Sequence, residues 1–180
     1  MSDPWGTVPG MSNTSSKTHR QWPAPLASDE LRLLLDFLQF LRATAVNKLA
    51  GLTVAQAVAT PLPASPRMSA LGVVKHLTAV ERWWLSIEAG GADLPSLWAG
   101  SPDPSWDIGP HDTPASVAAA YKAEWARVDK ALRGLSPDDR TRRRSEFTVR
   151  WVVTHVVQET ARHVGHLDVL RELADGEVGE

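Results

Sequence analysis

The chain has 180 residues, with 19 basic and 21 acidic side chains, a formal net charge of −2 and no cysteine. The near-neutral charge gives no electrostatic basis for binding nucleic acid or an anionic membrane, and no apolar run approaches the ~20 residues of a membrane span. The N-terminus also lacks the apolar region of a signal peptide, so we expect a cytoplasmic protein. The absence of cysteine excludes disulfides, thiolate-ligated zinc and a cysteine nucleophile, so any thiol chemistry needs a thiol from a cosubstrate.

Residues 1–26 are rich in serine, threonine, proline and glycine and show no helical periodicity. This composition predicts a disordered leader, followed by a single domain over residues 27–180. The first predicted helix begins at Ser28, a favoured N-cap residue, and ends at Gly51. Apolar side chains recur along it at steps of three and four residues: Leu31, Leu34, Leu35, Leu38, Leu41, Ala45 and Leu49.

The second predicted helix begins near Ser69 and ends at the pair Gly90-Gly91. A connection of about twenty residues follows, and it carries Trp98 and Trp106 among proline, glycine, aspartate and serine. Connections of this length are uncommon in compact domains and often serve as functional lids. An inert crossover is the alternative, and the sequence leaves both open.

The third predicted helix spans residues 113–134, with Thr113 as N-cap and Pro114 at the first helical position. A polar, arginine-rich connection over residues 136–147 leads to the fourth predicted helix, residues 149–174. No stretch alternates with a period of two, so we expect no sheet. Four helices joined by long connections predict an all-α four-helix bundle.

Four candidate metal ligands share one stripe of the fourth helix: His155, Glu159, His163 and His166. With His155 at zero and ~100° per residue, the other three lie at about 40°, 80° and 20°. Residues four apart are separated by ~6 Å along the axis, so either His155 with Glu159 or Glu159 with His163 can converge on one ion. The alternative is a solvated polar face without an ion, which the surrounding valines disfavour.

His76 is the candidate third ligand, because it lies midway along the second helix. The alternative for a lone histidine among valines and leucines is a core residue with a satisfied hydrogen bond. Two imidazoles and one carboxylate leave a fourth position open, as in catalytic rather than structural zinc sites. Zinc suits this ligand set best, and nickel, iron and manganese remain possible.

Two segments of the sequence resemble a known family: LGVVKHLTAVERWW (71–84) and WVVTHVVQETARHVGHLDVLRE (151–172). They are similar to the DinB-like superfamily of metal-binding four-helix bundles. In particular, they resemble the branch that contains mycothiol-dependent maleylpyruvate isomerases and mycothiol S-transferases. Residues 25–44 and 102–117 match this branch as well, so the resemblance covers about residues 25 to 180.

The resemblance implies a specific ligand set, namely His76, Glu159 and His163. Many DinB-like proteins use three histidines, but the mycothiol-dependent isomerases use a histidine, a glutamate and a histidine. His155 and His166 then become candidate catalytic residues that line the cleft and shuttle the thiol proton.

The resemblance further implies a metal-dependent thiol transferase or isomerase, in which the metal activates a low-molecular-weight thiol such as mycothiol for attack on an electrophile. Arg82, Trp83 and Arg162 are candidate substrate contacts, and ordinary surface charge is the alternative for the arginines. Two other functions remain open: a metal-stapled stress-response or small-molecule-binding module without catalysis, and a metal-dependent hydrolase. Phe37 and Phe40 on the first helix would permit a homodimer, although core packing explains them equally well.

Overall fold

The computed structural model describes residues 17–179 and confirms an all-α bundle. Its α-helices are α1 (Glu30–Asn47), α2 (Val54–Val58), α3 (Ala70–Glu81), α4 (Pro114–Ala131) and α5 (Val149–Asp175). The long helices α1, α3, α4 and α5 form the bundle, and α2 is a short turn between the first two. Within the described residues no helix is both long and apolar enough to cross a membrane.

Local sequence signals determine where the helices begin and end. Asp29, rather than the predicted Ser28, is the N-cap of α1, because its carboxylate accepts a hydrogen bond from the backbone N–H of Arg32 at 3.0 Å. Thr148 caps α5 in the same way. Gly176 ends α5 in the left-handed conformation, with φ of 80°, which glycine adopts without steric cost.

The second long helix changes from an α-helix to a π-helix after Glu81. It continues as a π-helix over Arg82–Ala89, which the sequence pattern did not predict, and it ends at Gly90 as expected. A Cβ atom on Gly90 would lie 2.5 Å from the Cβ of Ala131, so only glycine permits the end of α4 to pass this close. Single π turns are often associated with functional sites.

The apolar faces of the long helices pack in the bundle interior as two clusters of buried side chains, with α1 against α5 and α3 against both α4 and α5. Leu71, Val74 and Leu77 of α3 are fully buried, as is Leu167 of α5. Each such side chain contributes roughly 1.5–3 kcal/mol through the area that it removes from water. This packing brings the middle of α3 next to the middle of α5.

Three glutamates with no solvent exposure also lie in this interior: Glu81, Glu88 and Glu124. Each is paired with an arginine, and Glu81 is paired with Arg42 of α1 at an Nε–Oε1 distance of 3.0 Å. The hydroxyl of Tyr121 donates a further hydrogen bond to Glu81 at 2.7 Å. Burial raises the pKa of Tyr121 well above its usual value, so the phenol remains a donor.

The last part of the predicted leader contacts α1. The side chain of Asn47 exchanges two hydrogen bonds with the backbone of Thr18, at 2.7 and 2.9 Å, and Trp22 stacks on Phe40 with ring centroids 4.1 Å apart. Phe40 therefore has a partner within the same chain, and the homodimer stays a prediction. The predicted disorder of residues 1–16 lies outside the described residues.

Replacing Glu81 by alanine should lower the free energy of unfolding by about 3–5 kcal/mol, because Arg42 would remain as a buried, unpaired charge. Urea denaturation followed by circular dichroism measures the change. The matched control is Asp36→Asn, which breaks the partly exposed pair with Arg32 and should cost only ~0.5 kcal/mol. Equal losses in the two variants would contradict the structural importance of the buried pair.

Candidate metal centre

The packing of α3 against α5 brings three potential ligands together: His76, Glu159 and His163. Oε1 of Glu159 lies 3.1 Å from Nε2 of His163 and 3.9 Å from Nε2 of His76. One donor atom from each residue lies within 4.8 Å of the other two. Ligand atoms around a tetrahedral zinc ion, with bonds of about 2.0–2.1 Å, are separated by about 3.3 Å. Small side-chain rotations would therefore let these three groups hold one divalent cation.

His76 is fixed from its outer side by the connection between the second and third long helices. Its Nδ1 atom lies 3.0 Å from the hydroxyl oxygen of Ser105 and 3.6 Å from a carboxylate oxygen of Asp103. Trp106 stacks on the imidazole with ring centroids 4.4 Å apart. These contacts engage Nδ1 and leave Nε2 facing Glu159, which is the arrangement typical of metal-binding histidines.

Asp103 and Ser105 were not among the residues singled out from the sequence. Asp103 is the N-cap of a short 3₁₀ helix, Pro104–Trp106, and its side chain accepts a hydrogen bond from the backbone of Ser105 at 2.8 Å. Aspartate followed by proline is a recognisable start of a helical turn. That local signal could have revealed the turn, but not its contact with His76.

His166 lies beside the cluster, and its Nδ1 atom is 3.3 Å from Nδ1 of His163. One of these two nitrogens must carry the proton, so the pair determines which tautomer His163 adopts. His155 has different neighbours: its ring stacks on Trp151 at 5.2 Å and contacts the edge of Trp84 at 5.0 Å. The structure thus brings His166 next to the cluster and holds His155 among aromatic rings.

Both candidate histidine ligands are neutral at neutral pH. Burial, together with the neighbouring His163, lowers the pKa of His76 to about 4, while Asp103 and Glu159 partly oppose the shift. Burial also lowers the pKa of His163, against the opposing effect of Glu159. A cation needs the unprotonated imidazole, so these shifts favour the form that binds metal.

The candidate substrate contacts have distinct surroundings. The guanidinium of Arg82 lies 2.7 Å from the buried carboxylate of Glu124, which neutralises its charge. Trp83 lies against the crossover connection, with its ring 6.2 Å from that of Trp98. Arg162 is exposed and close enough to His163 to affect its pKa. Contact with substrate stays a prediction for Arg82, Trp83 and Arg162.

Cavity size does not identify this site. A cavity of about 590 Å³ is formed by the end of α1, by residues 49–53 after it and by the first turns of α4, and none of the three candidate ligands lines it. The chemistry of the converging donors is the better guide, because a metal needs donor atoms within a few ångströms and not a large volume.

Trp98 has an unpaired hydrogen-bond donor: its buried indole N–H has no acceptor among the described residues.

An all-α bundle with a histidine–glutamate–histidine cluster between two helices is the architecture expected for the DinB-like class. The mycothiol S-transferase family matches residues 33–176, and the chain belongs to this family. A crystal structure of a conserved protein from Enterococcus faecalis has a similar fold, with a TM-score of 0.57 and 17% identity. The similarity covers 84% of this chain and all of that one. No curated protein matches. The resemblance stated from the sequence is therefore confirmed.

The donor set makes a direct prediction about zinc affinity, which competition with a chromogenic chelator measures. The variants His76→Ala, Glu159→Gln and His163→Ala should each bind zinc at least about 100-fold more weakly, and Ser105→Ala about tenfold more weakly. His155→Ala should bind zinc like the unmodified chain, because its ring contacts Trp84 and Trp151 instead. If His155→Ala lost as much zinc affinity as His163→Ala, the result would favour His155 and Glu159 as the metal-binding pair on α5.

The lowered pKa of His76 predicts how the stability of the metal-free protein depends on pH. In the unfolded chain this histidine takes up a proton near pH 6.5, whereas in the folded protein it does so only near pH 4. The unfolded state therefore binds more protons between these values, and the free energy of unfolding should fall as the pH decreases from 6.5 to 4. Urea midpoints at several pH values measure this slope. An equally steep slope in His76→Gln would show that other groups cause it.

Proposed function

We propose that the protein is a metal-dependent S-transferase that joins a low-molecular-weight thiol, such as mycothiol, to an electrophilic small molecule. The observation that carries the proposal is the convergence of His76, Glu159 and His163, a set of three ligands that would leave one position of a tetrahedral cation open. Membership of the mycothiol S-transferase family supports the choice of thiol. The absence of cysteine agrees with it, because the reacting sulfur must then come from a cosubstrate.

The residues present fit a divalent cation, and zinc suits two imidazoles and one carboxylate best. A bound cation would supply Lewis acidity that lowers the pKa of a thiol at the open fourth position. In the net reaction the thiol releases its proton to solvent, a sulfur–carbon bond forms, and the leaving group departs from the electrophile with its bonding electrons.

The geometry suggests a positioning role for His166. If Nε2 of His163 binds the cation, the proton of His163 must reside on Nδ1, which then donates to Nδ1 of His166. His166 therefore keeps its own proton on Nε2 and holds His163 in the tautomer that binds metal. Ser105 and Asp103 do the same for His76 from the other side of the cluster.

A cytoplasmic location forms part of the proposal. Low-molecular-weight thiols are kept reduced in that compartment, and only the reduced thiol can act as the nucleophile.

The test combines zinc-loaded protein, mycothiol and monochlorobimane, and follows the fluorescence of the conjugate. The unmodified chain should exceed the rate of the thiol alone, and His163→Ala and Glu159→Gln should return it to that level. His111→Ala is the matched control, because this exposed histidine lies outside the cluster. Retained activity in His163→Ala would disprove a role for the metal ligand.

The same assay separates the competing functions. Absence of any rate enhancement with mycothiol or bacillithiol, combined with a rise in melting temperature on adding zinc, would indicate a metal-stapled binding module. Turnover of an ester or amide without any thiol would indicate a hydrolase. Release of an isomer with no loss of free thiol would indicate an isomerase.

A further inference from the structure

We propose that Trp98, Trp83 and Arg143 form a binding strip for the electrophile and select substrates that join an anionic group to a flat apolar body. The inference rests on the proposed function, since it names the class of the second substrate. We call these three residues the aromatic strip.

The strip begins at the candidate metal centre. The ring of Trp98, from the crossover connection, lies 6.0 Å from that of His76, with an angle of 21° between the planes. The ring of Trp83, the second residue of the π-helix, lies 6.2 Å from Trp98. Two indoles therefore continue from a metal ligand toward the arginine-rich connection before α5. Flat unsaturated groups bind well against such surfaces.

The far end of the strip is positively charged. Arg143 and Arg144 each place the guanidinium carbon 5.7 Å from the ring centre of Trp83. The two arginines differ in what else they contact. Arg144 donates to the buried carboxylate of Glu88 at 2.8 Å, so its charge is already compensated. Arg143 is exposed, and within residues 17–179 it has no carboxylate partner.

The position of Arg143 is nevertheless fixed. Its backbone N–H donates to the carbonyl of Glu88 in the π-helix at 3.2 Å, and its guanidinium lies over Trp83. A fixed guanidinium without an acidic partner suits a carboxylate or sulfonate, which it can bind through two parallel hydrogen bonds.

The two ends of the strip determine which groups the ligand must carry. The anionic group lies at Arg143, the flat body lies along Trp83 and Trp98, and the electrophilic carbon reaches the open position next to His76. A neutral electrophile of the same shape would lack the contact at Arg143. The strip therefore acts on the affinity for the substrate and not on the chemical step.

The kinetic test uses two electrophiles of similar shape that differ in charge. 1-Chloro-2,4-dinitrobenzene is neutral, and 4-chloro-3,5-dinitrobenzoate is anionic. In the zinc-loaded enzyme with mycothiol, Arg143→Gln should raise KM for the benzoate about tenfold and leave KM for the neutral compound and both kcat values unchanged. Arg142→Gln is the matched control, because its guanidinium lies at the carbonyl of Gly90 instead. Equal effects of the two substitutions would overturn the proposal.

A binding measurement keeps the proposal independent of turnover. Unreactive 3,5-dinitrobenzoate, titrated calorimetrically into the zinc-loaded protein and into zinc-free His163→Ala, should bind both, and Arg143→Gln should weaken binding about tenfold in each background. Arg143-dependent binding without any thiol transfer would refute the proposed function and leave the strip intact. Loss of binding in zinc-free His163→Ala would show that the anion binds the metal, and would overturn the strip. If Trp98→Leu changed KM for mycothiol and left KM for the electrophile unchanged, the strip would bind the thiol, and the proposal would also be overturned.

Discussion

The fold depends on the burial of one carboxylate, that of Glu81. A charge with no solvent exposure is tolerated only when it is paired and hydrogen-bonded, and Arg42 of α1 and Tyr121 of α4 provide these contacts. Because the three residues come from three helices, the interaction fixes the register of α3 against both neighbours. His76 lies a little over one turn earlier on α3, and the packing of α3 against α5 brings this candidate ligand next to Glu159 and His163.

The crossover connection between the second and third long helices contacts His76 on the side away from α5. Lys75 of α3 forms an ion pair with Asp112 at 2.5 Å, which holds the end of the connection against the helix that carries His76. With the connection held there, Ser105 and Trp106 contact the outer side of the imidazole. The sequence left open whether this connection is a lid or an inert crossover. The structure shows that it contributes directly to the surroundings of a candidate ligand.

The helices could be predicted from periodicity and capping residues because those signals act within a few residues of each other. Periodicity could not decide between His155 and His163 as partner of Glu159, because both pairs have the same spacing along α5, and only the family resemblance indicated His163. The decision depends on the height at which α3 crosses α5, which no local pattern encodes. The contact of Asp103 with His76 could not be predicted either, because the two residues are far apart in the sequence and meet only through the fold. The π-helix after Glu81 was missed because Trp84 and Ile87 continue the apolar spacing of the preceding α-helix.

Charge balance links the donor set to the proposed substrate. His76 and His163 are neutral at neutral pH, so among the three candidate ligands only Glu159 carries a negative charge. Under the proposed function, a divalent cation would therefore keep about one unit of uncompensated positive charge, and the exposed Arg162 near His163 adds to the local positive potential. A neutral ligand at the fourth position would leave this charge in place, whereas an anionic sulfur would neutralise it. A set of three carboxylates would lack that preference, so under the proposed function the two imidazoles and one carboxylate favour an anionic fourth ligand, such as a thiolate.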